Sequence, residues 1–346
     1  MSYPTTRPAT WFVTGTSRGL GLELVKQLLE RGDNVAATTR SAERLDAALG
    51  SVDRARLLPL ELNLADEPAV AAAIRSTTDR FGAIDVVVNN AGYGFLAAVE
   101  EVTDADVRQM FDVQIFGLWN VLRAVLPSLR AQRSGHIINI SSILGLTSFP
   151  GWGLYCAGKY ALEGLTESLA AEVGDFGVQV NLVEPGYMQT DFLRTHSLGL
   201  PPTTVSGYES IREMTEAHLA MPGTQLGDPV RAASAIIEVA VSGKGSSAPT
   251  ARLGLLLAGQ GPDRCTDLRR GGGPRAGLHD GHPAAQLRAF RYLLALPGLV
   301  SLSRPGPPLF SRRSGRSAAH SMISTTARSR TTAAIASSPG SGWIRP

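Results

Sequence analysis

The sequence predicts an α/β fold in which a doubly wound parallel sheet forms a single domain, followed by an irregular C-terminal tail. A short apolar run, Thr10–Thr14, precedes a glycine-rich turn, and leucines then recur at helical spacing from Leu20 onward. A second strand-like run, residues 34–39, follows at the distance expected of a βαβ unit. A later apolar run ends just before Ser142, and strand ends of such sheets present side chains to ligands.

The first turn holds its glycines in the spacing GxxxGxG. Glycine permits a tight turn and lets the backbone approach a pyrophosphate closely, and the N-terminus of the following helix favours the negative charge. Because such a turn is also found where it serves only the fold, the βαβ unit behind it is what favours nucleotide binding. The predicted cofactor-binding residues of this turn are Gly15, Ser17, Arg18, Gly19, Leu20 and Gly21.

The end of the second strand indicates which nicotinamide cofactor is bound. In NAD-binding units an acidic residue there accepts a hydrogen bond from the ribose 2′-hydroxyl, whereas an Arg accommodates a 2′-phosphate. This chain has Thr38, Thr39 and Arg40 instead, with Arg18 in the glycine turn. The sequence therefore predicts NADP(H) in preference to NAD(H), although Arg40 alone would also suit the start of a surface helix.

Tyr155 and Lys159 are four residues apart, so on a helix they share one face and can point into the same pocket. A phenol has a pKa near ~10, and a cation held beside it moves that pKa toward neutrality. Ser142 precedes the pair at a strand end. Beside a nicotinamide, this set would interconvert carbonyls and alcohols. By itself, the pair is most often a solvated lysine over a half-buried tyrosine, so the motifs that precede it give it its value.

Five motifs follow one another in order along the chain: the glycine turn after Thr14, the run Asn89–Gly92, Ser142, Tyr155 with Lys159, and Pro185–Gly186 with Thr190. In these motifs, over about residues 8–243, the chain resembles the short-chain dehydrogenase/reductases of the compact, single-domain kind. The resemblance implies a seven-stranded parallel sheet of the Rossmann fold. It also implies an oxidoreductase that transfers a hydride between a nicotinamide and a carbonyl or alcohol carbon.

The same resemblance implies a role for each motif residue. Ser142 would polarise the carbonyl, Tyr155 would transfer the proton, and Lys159 would hold the ribose and lower the pKa of Tyr155. The remaining cofactor contacts would be Asn90, Ala91 and Gly92 on the adenosine side, and Pro185, Gly186 and Thr190 at the nicotinamide end.

Two positions depart from the family's pattern. Asn63 stands where the family usually has an Asp that contacts adenine, and its amide can still make the hydrogen bond. Gln114 stands where the family's fourth catalytic residue, an Asn, holds a water in a proton relay to the lysine. A displacement of ~1 Å can cost on the order of 100-fold in rate, so the longer Gln114 side chain is expected to alter the relay. The alternative is a catalytically weak NADP(H)-binding module.

The composition is that of an ordinary globular protein. Apolar residues make up 43% of the chain, no apolar run reaches the ~20 residues of a membrane span, and the N-terminus lacks a signal-peptide core. The two cysteines, Cys156 and Cys265, lack metal-ligand spacing. The sequence therefore predicts a cytoplasmic protein without a metal site.

A break in composition near Lys244 divides the chain into a catalytic domain, residues 1–244, and a tail, residues 245–346. The tail holds fourteen Arg, three Asp, no Lys and no Glu. It is interpreted as a disordered extension, as a basic arm for nucleic acid, which the scattered arginines do not favour, or as a frameshift product, which its composition favours. Within it, Leu253–Ala258 could substitute for the last strand of the sheet.

Between Thr190 and Gly227 the sequence predicts a flap, which by the family resemblance closes over the substrate. Its helix would span Ser206–Met221, with an apolar side formed by Tyr208, Ile211, Met214 and Leu219. The remaining pocket walls are assigned to Tyr93, Phe95, Leu144, Phe149, Trp152 and Tyr187. These walls predict an apolar ketone, aldehyde or secondary alcohol as the substrate.

Among larger partners, neither a membrane nor a nucleic acid is expected. In the family that the chain resembles, helices near 105–130 and 153–174 commonly pair subunits. A homodimer or homotetramer is therefore compatible with the sequence.

Overall fold

A computed structural model describes residues 3–242 and 251–253, and in this part of the chain it confirms the predicted doubly wound parallel sheet. The main sheet has seven strands, all parallel, in the order β3-β2-β1-β4-β6-β7-β9. The strands are β1 Thr10–Thr14, β2 Asn34–Thr39, β3 Leu57–Glu61, β4 Val86–Asn89, β5 Gly94–Phe95, β6 Gly135–Ile140, β7 Val178–Val183, β8 Leu198–Gly199 and β9 Ala251–Leu253. The short strands β5 and β8 pair with each other outside the main sheet.

Helices cover both faces of the sheet. They are α1 Gly19–Glu30, α2 Ala42–Leu49, α3 Glu67–Phe81, α4 Asp104–Phe111, α5 Gly117–Gln132, α6 Gly153–Val173, α7 Glu209–Leu219 and α8 Pro229–Ser242. One core cluster joins the sheet to α1, α2 and α8, and a second joins it to α3, α5 and α6. Because both faces are covered, a central strand such as β1 is buried at every residue and reads as a continuous apolar run.

The seventh strand lies beyond the predicted domain end at residue 244. Backbone pairing joins Asn181 to Ala251 and Val183 to Leu253, so β9 covers the free edge of β7. The strand therefore begins two residues before the predicted segment Leu253–Ala258, of which residues 254–258 lie outside the described residues. The predictions of a disordered, nucleic-acid-binding or frameshifted tail also fall outside them, apart from residues 251–253.

Within the described residues, none of the helices has both the length and the apolar character that a membrane crossing requires. The same residues contain no cluster of His, Cys, Asp or Glu arranged to hold a metal ion.

Candidate active site

The glycine turn between β1 and α1 is packed so closely that side chains would not fit. Gly15 has a φ of +72°, and a Cβ there would lie 2.8 Å from the Cα of Ala91. A Cβ on Gly21 would lie 2.3 Å from the carbonyl oxygen of Gly15. Both glycines are therefore required by the shape of the turn itself.

The ends of β1 and β4 are held together by Thr14 and Asn90. The side-chain amide of Asn90 donates to the carbonyl oxygens of Thr14 at 2.9 Å and of Gly15 at 3.0 Å. The hydroxyl oxygen of Thr14 accepts from the backbone N–H groups of Asn90 and Ala91, each at 3.0 Å. The side chain of Asn90 thus fixes the turn, a role that the sequence argument did not assign to it.

The N-terminus of α1 is suited to an anion. Arg18 precedes the helix in an extended conformation, and in this described segment neither a side-chain cap nor an acidic residue occupies the first turn. The first backbone N–H groups and the positive end of the helix dipole are therefore available to a phosphate. Thr190 lies close to this end of α1, since its Cγ2 is 3.5 Å from where a Cβ on Gly19 would be. Ser17 is half-buried in the same turn, and Leu20 is buried in the core beneath it.

Three arginines come together where β2 ends. Burial and the positive charges of Arg40 and Arg44 lower the pKa of Arg18. The negative charge of Asp191 raises it and so opposes this effect. A site that holds cations against their mutual repulsion is one that an anion would stabilise. Arg44 was not identified from the sequence, because its helical position carries no motif.

The hydroxyl of Thr39 is hydrogen-bonded within the fold. Thr38 and Thr39 are buried, and the hydroxyl of Thr39 donates to the backbone oxygen of Ser41 at 3.1 Å. The Thr39 hydroxyl therefore already has a backbone partner, and the contact of these two hydroxyls with a 2′-phosphate stays a prediction. The nearby carboxylate of Glu61 accepts from the N–H of Ala42 at 2.9 Å, so it is engaged with the start of α2.

Tyr155, Lys159 and Ser142 lie together, as their spacing predicts. A hydrogen bond joins the hydroxyl of Tyr155 to the side chain of Ser142. The Lys159 ammonium lies 5.5 Å from the centre of the Tyr155 ring and donates to the carbonyl oxygen of Ile140 at 2.9 Å. All three side chains are buried, with exposures of 8% or less. The set can exchange a proton in a place that excludes bulk water.

The electrostatics of the pair differ from the expectation. Burial raises the pKa of Tyr155, and the hydrogen bond to Ser142 opposes this. Burial also lowers the pKa of Lys159 to about 8. In this arrangement desolvation therefore outweighs the lysine's predicted effect on the phenol, because both groups have left water.

Gln114 lies in a turn of π-helix, Asp112–Phe116, that connects α4 to α5. Such turns are often found at functional sites because they displace one side chain from the regular ladder. The amide of Gln114 donates to the carbonyl oxygen of Tyr93 at 2.8 Å, while its own buried Oε1 has no hydrogen-bond partner among the described residues. The side chain lies against Gly92, 3.6 Å from where a Cβ there would be. The side chain of Gln114 thus lies beside Gly92, in the predicted cofactor-binding segment after β4, rather than being hydrogen-bonded to Lys159.

The other predicted cofactor residues occupy loops at the same edge of the sheet. The side-chain oxygen of Asn63 accepts from the N–H of Ala65 at 3.1 Å, just after β3. The carbonyl oxygen of Pro185 accepts from the N–H of Ile143 at 3.1 Å, which ties the loop after β7 to the loop that carries Ser142. Around Gly186 the described residues leave open space where a Cβ would be.

The six predicted pocket walls belong to one apolar cluster that also contains Tyr155. Phe95, Leu144 and Trp152 are buried, and Tyr93, Phe149 and Tyr187 pack against them. The ring of Tyr155 meets Trp152 edge-on at 5.5 Å between centroids and Phe192 at 5.8 Å. From α7, Ile211 is buried, and Met214 and Leu219 reach the cluster.

The prediction for Tyr208 was wrong. Its hydroxyl donates to Glu100 at 2.7 Å on the outside of the apolar cluster. A helical apolar pattern cannot distinguish a tyrosine that packs from one whose hydroxyl finds a carboxylate. The helix itself is shorter than Ser206–Met221, since α7 begins at Glu209 and ends at Leu219.

His218, which the sequence reasoning missed, is buried at the end of α7. Its Nδ1 lies 2.7 Å from the carbonyl oxygen of Met214, and its Nε2 lies 2.7 Å from the hydroxyl of Tyr187. Burial lowers the pKa of His218, so the ring is neutral at pH 7. Because a carbonyl only accepts, Nδ1 carries the proton and Nε2 accepts from Tyr187. A polar pair therefore stands within the apolar walls.

An ion pair that is buried on its acidic side joins α7 to the segment before α4. The carboxylate of Glu101 accepts from the guanidinium of Arg212 on α7 and, at 2.9 Å, from the N–H of Val205. Its side chain is 0% exposed, and that of Arg212 is 30% exposed. Arg212 holds the pKa of Glu101 well below its usual range, at about 2. No sequence pattern connects these residues, which are 111 positions apart.

Known proteins with this fold identify the family. Residues 9–199 match the model of the short chain dehydrogenase family. Oxidoreductase BOA17 of Botryotinia fuckeliana is 36% identical over 66% of this chain and 83% of its own length. Retinol dehydrogenase 8 of Homo sapiens is 37% identical over 54% of this chain and 60% of its own length.

Among solved structures, a short-chain dehydrogenase from Streptomyces avermitilis superposes with a TM-score of 0.65 at 31% identity, and the match covers 84% of this chain and 98% of that one. Fold, motif order and sequence similarity therefore agree. The chain belongs to the short-chain dehydrogenase family of nicotinamide-dependent oxidoreductases, which act on CH–OH and C=O groups.

Proposed function

We propose that the protein is an NADP(H)-dependent oxidoreductase that interconverts an apolar ketone or aldehyde and the corresponding alcohol. The observation that carries this proposal is the position of Tyr155. Its hydroxyl is hydrogen-bonded to Ser142, and the ammonium of Lys159 lies 5.5 Å from the centre of its ring, which packs among the aromatic walls of the apolar cluster. A proton donor and the apolar cluster therefore meet at one point.

The residues around the glycine turn fit a dinucleotide phosphate. The uncapped N-terminus of α1 supports a pyrophosphate, and the turn made by Gly15 and Gly21 brings backbone close to it. The arginine group of Arg18, Arg40 and Arg44 supports a 2′-phosphate at the end of β2, which favours NADP(H) over NAD(H). When bound, the nicotinamide would supply or accept the hydride.

In reduction, Tyr155 gives its phenolic proton to the oxygen that gains negative charge as the carbonyl carbon is reduced. In oxidation it takes that proton from the alcohol. Ser142 is placed to share the hydrogen bond to this oxygen, and the ammonium of Lys159 stabilises the phenolate that forms. Because burial raises the pKa of Tyr155, the tyrosine holds its proton until this cation and the substrate oxygen act on it.

Gln114 is proposed to serve the proton relay through its free acceptor. Its amide N–H is used on Tyr93, whereas its buried Oε1 has no protein partner among the described residues. A buried carbonyl oxygen without a partner costs free energy, which a water at this place would recover. We therefore propose that Gln114 holds the relay water.

The substrate is proposed to be largely apolar, with one polar group distant from the reacting carbon. The aromatic walls favour a hydrocarbon ring or chain. The Tyr187–His218 pair offers an oxygen that donates to His218 and can still accept from a substrate hydroxyl. The similarity to a retinol dehydrogenase agrees with an apolar alcohol or aldehyde.

A homodimer through α5 is also proposed. Phe116, the last residue of the π-helical turn, is 54% exposed, and Trp119, three residues later at the start of α5, is 42% exposed. Aromatic side chains exposed together mark an association surface. Sedimentation of the protein and of Trp119→Glu would test this, since the charge should leave a monomer.

The function is tested with NADPH and a panel of apolar ketones and aldehydes. Tyr155→Phe should lower turnover on the order of 100- to 10,000-fold, the contribution of a positioned acid, and leave NADPH affinity within a few-fold. Tyr160→Phe is the matched control, because this tyrosine lies on the same helix and is 47% exposed. If the protein binds NADPH and reduces none of the panel, or if Tyr155→Phe keeps its turnover, the proposal is wrong.

A further inference from the structure

The buried carboxylate of Glu163 has no part in the mechanism above, although it lies on α6, the helix that carries Tyr155 and Lys159. It follows Lys159 by four residues and Tyr155 by eight on α6, so all three side chains share one face of the helix. Glu163 is 6% exposed and Lys159 is 4% exposed. An acidic side chain is seldom buried to this extent without a charged or hydrogen-bonding partner.

Lys159 and Glu163 form hydrogen bonds to adjacent residues, Ile140 at the end of β6 and Ser141 directly after it. The ammonium of Lys159 donates to the carbonyl oxygen of Ile140 at 2.9 Å, and the carboxylate of Glu163 accepts from the hydroxyl of Ser141. The next residue is Ser142, which is bonded to Tyr155. The two charges are therefore fixed on consecutive positions, the last residue of β6 and the first residue after it, immediately before Ser142.

The turn after β6 closes around the carboxylate. A Cβ on Gly145 would lie 2.7 Å from the Ser141 hydroxyl oxygen and 2.9 Å from Oε1 of Glu163. This close approach holds the carboxylate in place, and its position four residues after Lys159 puts the two opposite charges one helical turn apart, a spacing at which they attract each other.

We propose that Glu163 is a positioning residue of the active site, whose buried negative charge keeps the ammonium of Lys159 charged beside Tyr155. The proposal rests on the proposed function only for the use that Tyr155 makes of this charge. The electrostatics agree with the geometry: burial lowers the pKa of Lys159, and of the described residues Glu163 is the charged group that raises it. Removing the carboxylate should thus lower the pKa of Lys159 further, because the charge that opposes the effect of burial would be gone.

The chain has three lysines, Lys26, Lys159 and Lys244, so their side chains can be followed separately. We would label lysine with ¹³C at Cε and titrate the cofactor-free protein by NMR. In Glu163→Gln, which keeps the shape and an acceptor for Ser141, the midpoint of Lys159 should fall by about 1 pH unit or more, the effect of one nearby opposite charge. Lys26, which pairs with Glu23, is the internal reference.

Two further variants separate charge from shape. Glu163→Asp retains the charge, so the Lys159 midpoint should shift by less than half as much as it does in Glu163→Gln. Glu172→Gln removes an exposed carboxylate from the same helix and should leave the midpoint unchanged. Equal shifts in Glu163→Asp and Glu163→Gln, or no shift in either, would overturn the proposal.

The unmutated protein provides a test that does not depend on the variants folding. Lys159 must carry its proton at pH 7, and a neutral Lys159 there would overturn the proposal. In enzyme assays the alkaline limb of NADPH oxidation should move to lower pH in Glu163→Gln, in parallel with the NMR midpoint. Absence of turnover in the unmutated protein would refute the proposed function, whereas the titration would still decide the role of Glu163.

Discussion

The proposed cofactor side and the proposed substrate side of this molecule are built in different ways. Around the glycine turn, position is set by backbone: Gly15 and Gly21 leave no space, and Asn90 and Thr14 bind main-chain atoms of neighbouring strands. Over the apolar cluster, position is set by side chains from distant parts of the chain. There Glu101 holds Arg212, and Tyr187 meets His218.

The difference shows how two demands are met in one domain. The phosphates and ribose of a dinucleotide have one structure in both oxidation states, so a fixed backbone cradle would suit them. Substrates can differ in shape, so a proposed cover held by a few side-chain contacts that can break would suit them. The two sides should therefore respond independently to mutation.

The largest effect should come from Glu101→Ala, which leaves Arg212 without its buried partner. Breaking such a pair costs on the order of 3–5 kcal/mol, so α7 should exchange its amide hydrogens much faster and KM for the carbonyl should rise. NADPH affinity should stay unchanged, and Glu213→Ala, an exposed carboxylate of α7, should have no effect. Loss of NADPH binding in Glu101→Ala would contradict the independence of the two sides.

Gly21→Ala should change the proposed cofactor side, whereas Glu101→Ala should change the proposed substrate side. The new methyl would meet the Gly15 oxygen and the Asn90 amide, which are 2.3 and 2.6 Å from the Cβ position. Overpacking of this kind costs about 1–3 kcal/mol, so NADPH should bind at least tenfold more weakly in a fluorescence titration. Gly164→Ala is the control, because the described residues leave space there. Unchanged affinity would show that the turn is less rigid than its contacts imply.

Arg40→Ala should produce a smaller effect, restricted to one cofactor. Loss of one charge-assisted hydrogen bond costs about 1–3 kcal/mol, so NADPH should bind more weakly while NADH affinity changes little. Binding of both cofactors is measured for Arg40→Ala and for Arg31→Ala, an arginine at the opposite end of α1. Equal affinity of the unmutated protein for NADPH and NADH would contradict the NADP(H) preference.

The smallest effect is confined to acid pH. The pKa of Glu101 is lowered from 4.5 to about 2, so its contribution to stability is complete above pH 4.5 and is lost as the pH falls toward 2. Hydrogen exchange of α7, corrected for the intrinsic pH dependence, should therefore be constant from pH 7 to 5 and accelerate below pH 4.5. The same curve for Glu101→Gln should be flat.

The sequence predicted best what depends on local spacing. The glycine turn, the Tyr155–Lys159 pair and the alternation of strands and helices follow from neighbours in the chain. Contacts between distant residues escaped it: Glu101 with Arg212, His218 with Tyr187, and the outward turn of Tyr208. The effect of burial on Tyr155 was also missed, because desolvation depends on everything packed around a group.

The clamp formed by Thr14 and Asn90 has a consequence for the thermodynamics of cofactor binding. Because protein hydrogen bonds already fix the turn, the entropy of ordering it, about 1–2 kcal/mol per residue, is lost when the chain folds and not when the dinucleotide arrives. The same four hydrogen bonds therefore contribute to the stability of the fold and to the affinity for the dinucleotide. A weakened clamp would appear first as a lower melting temperature, and NADPH would raise that temperature less than it does in the intact protein, because binding must then also order the turn.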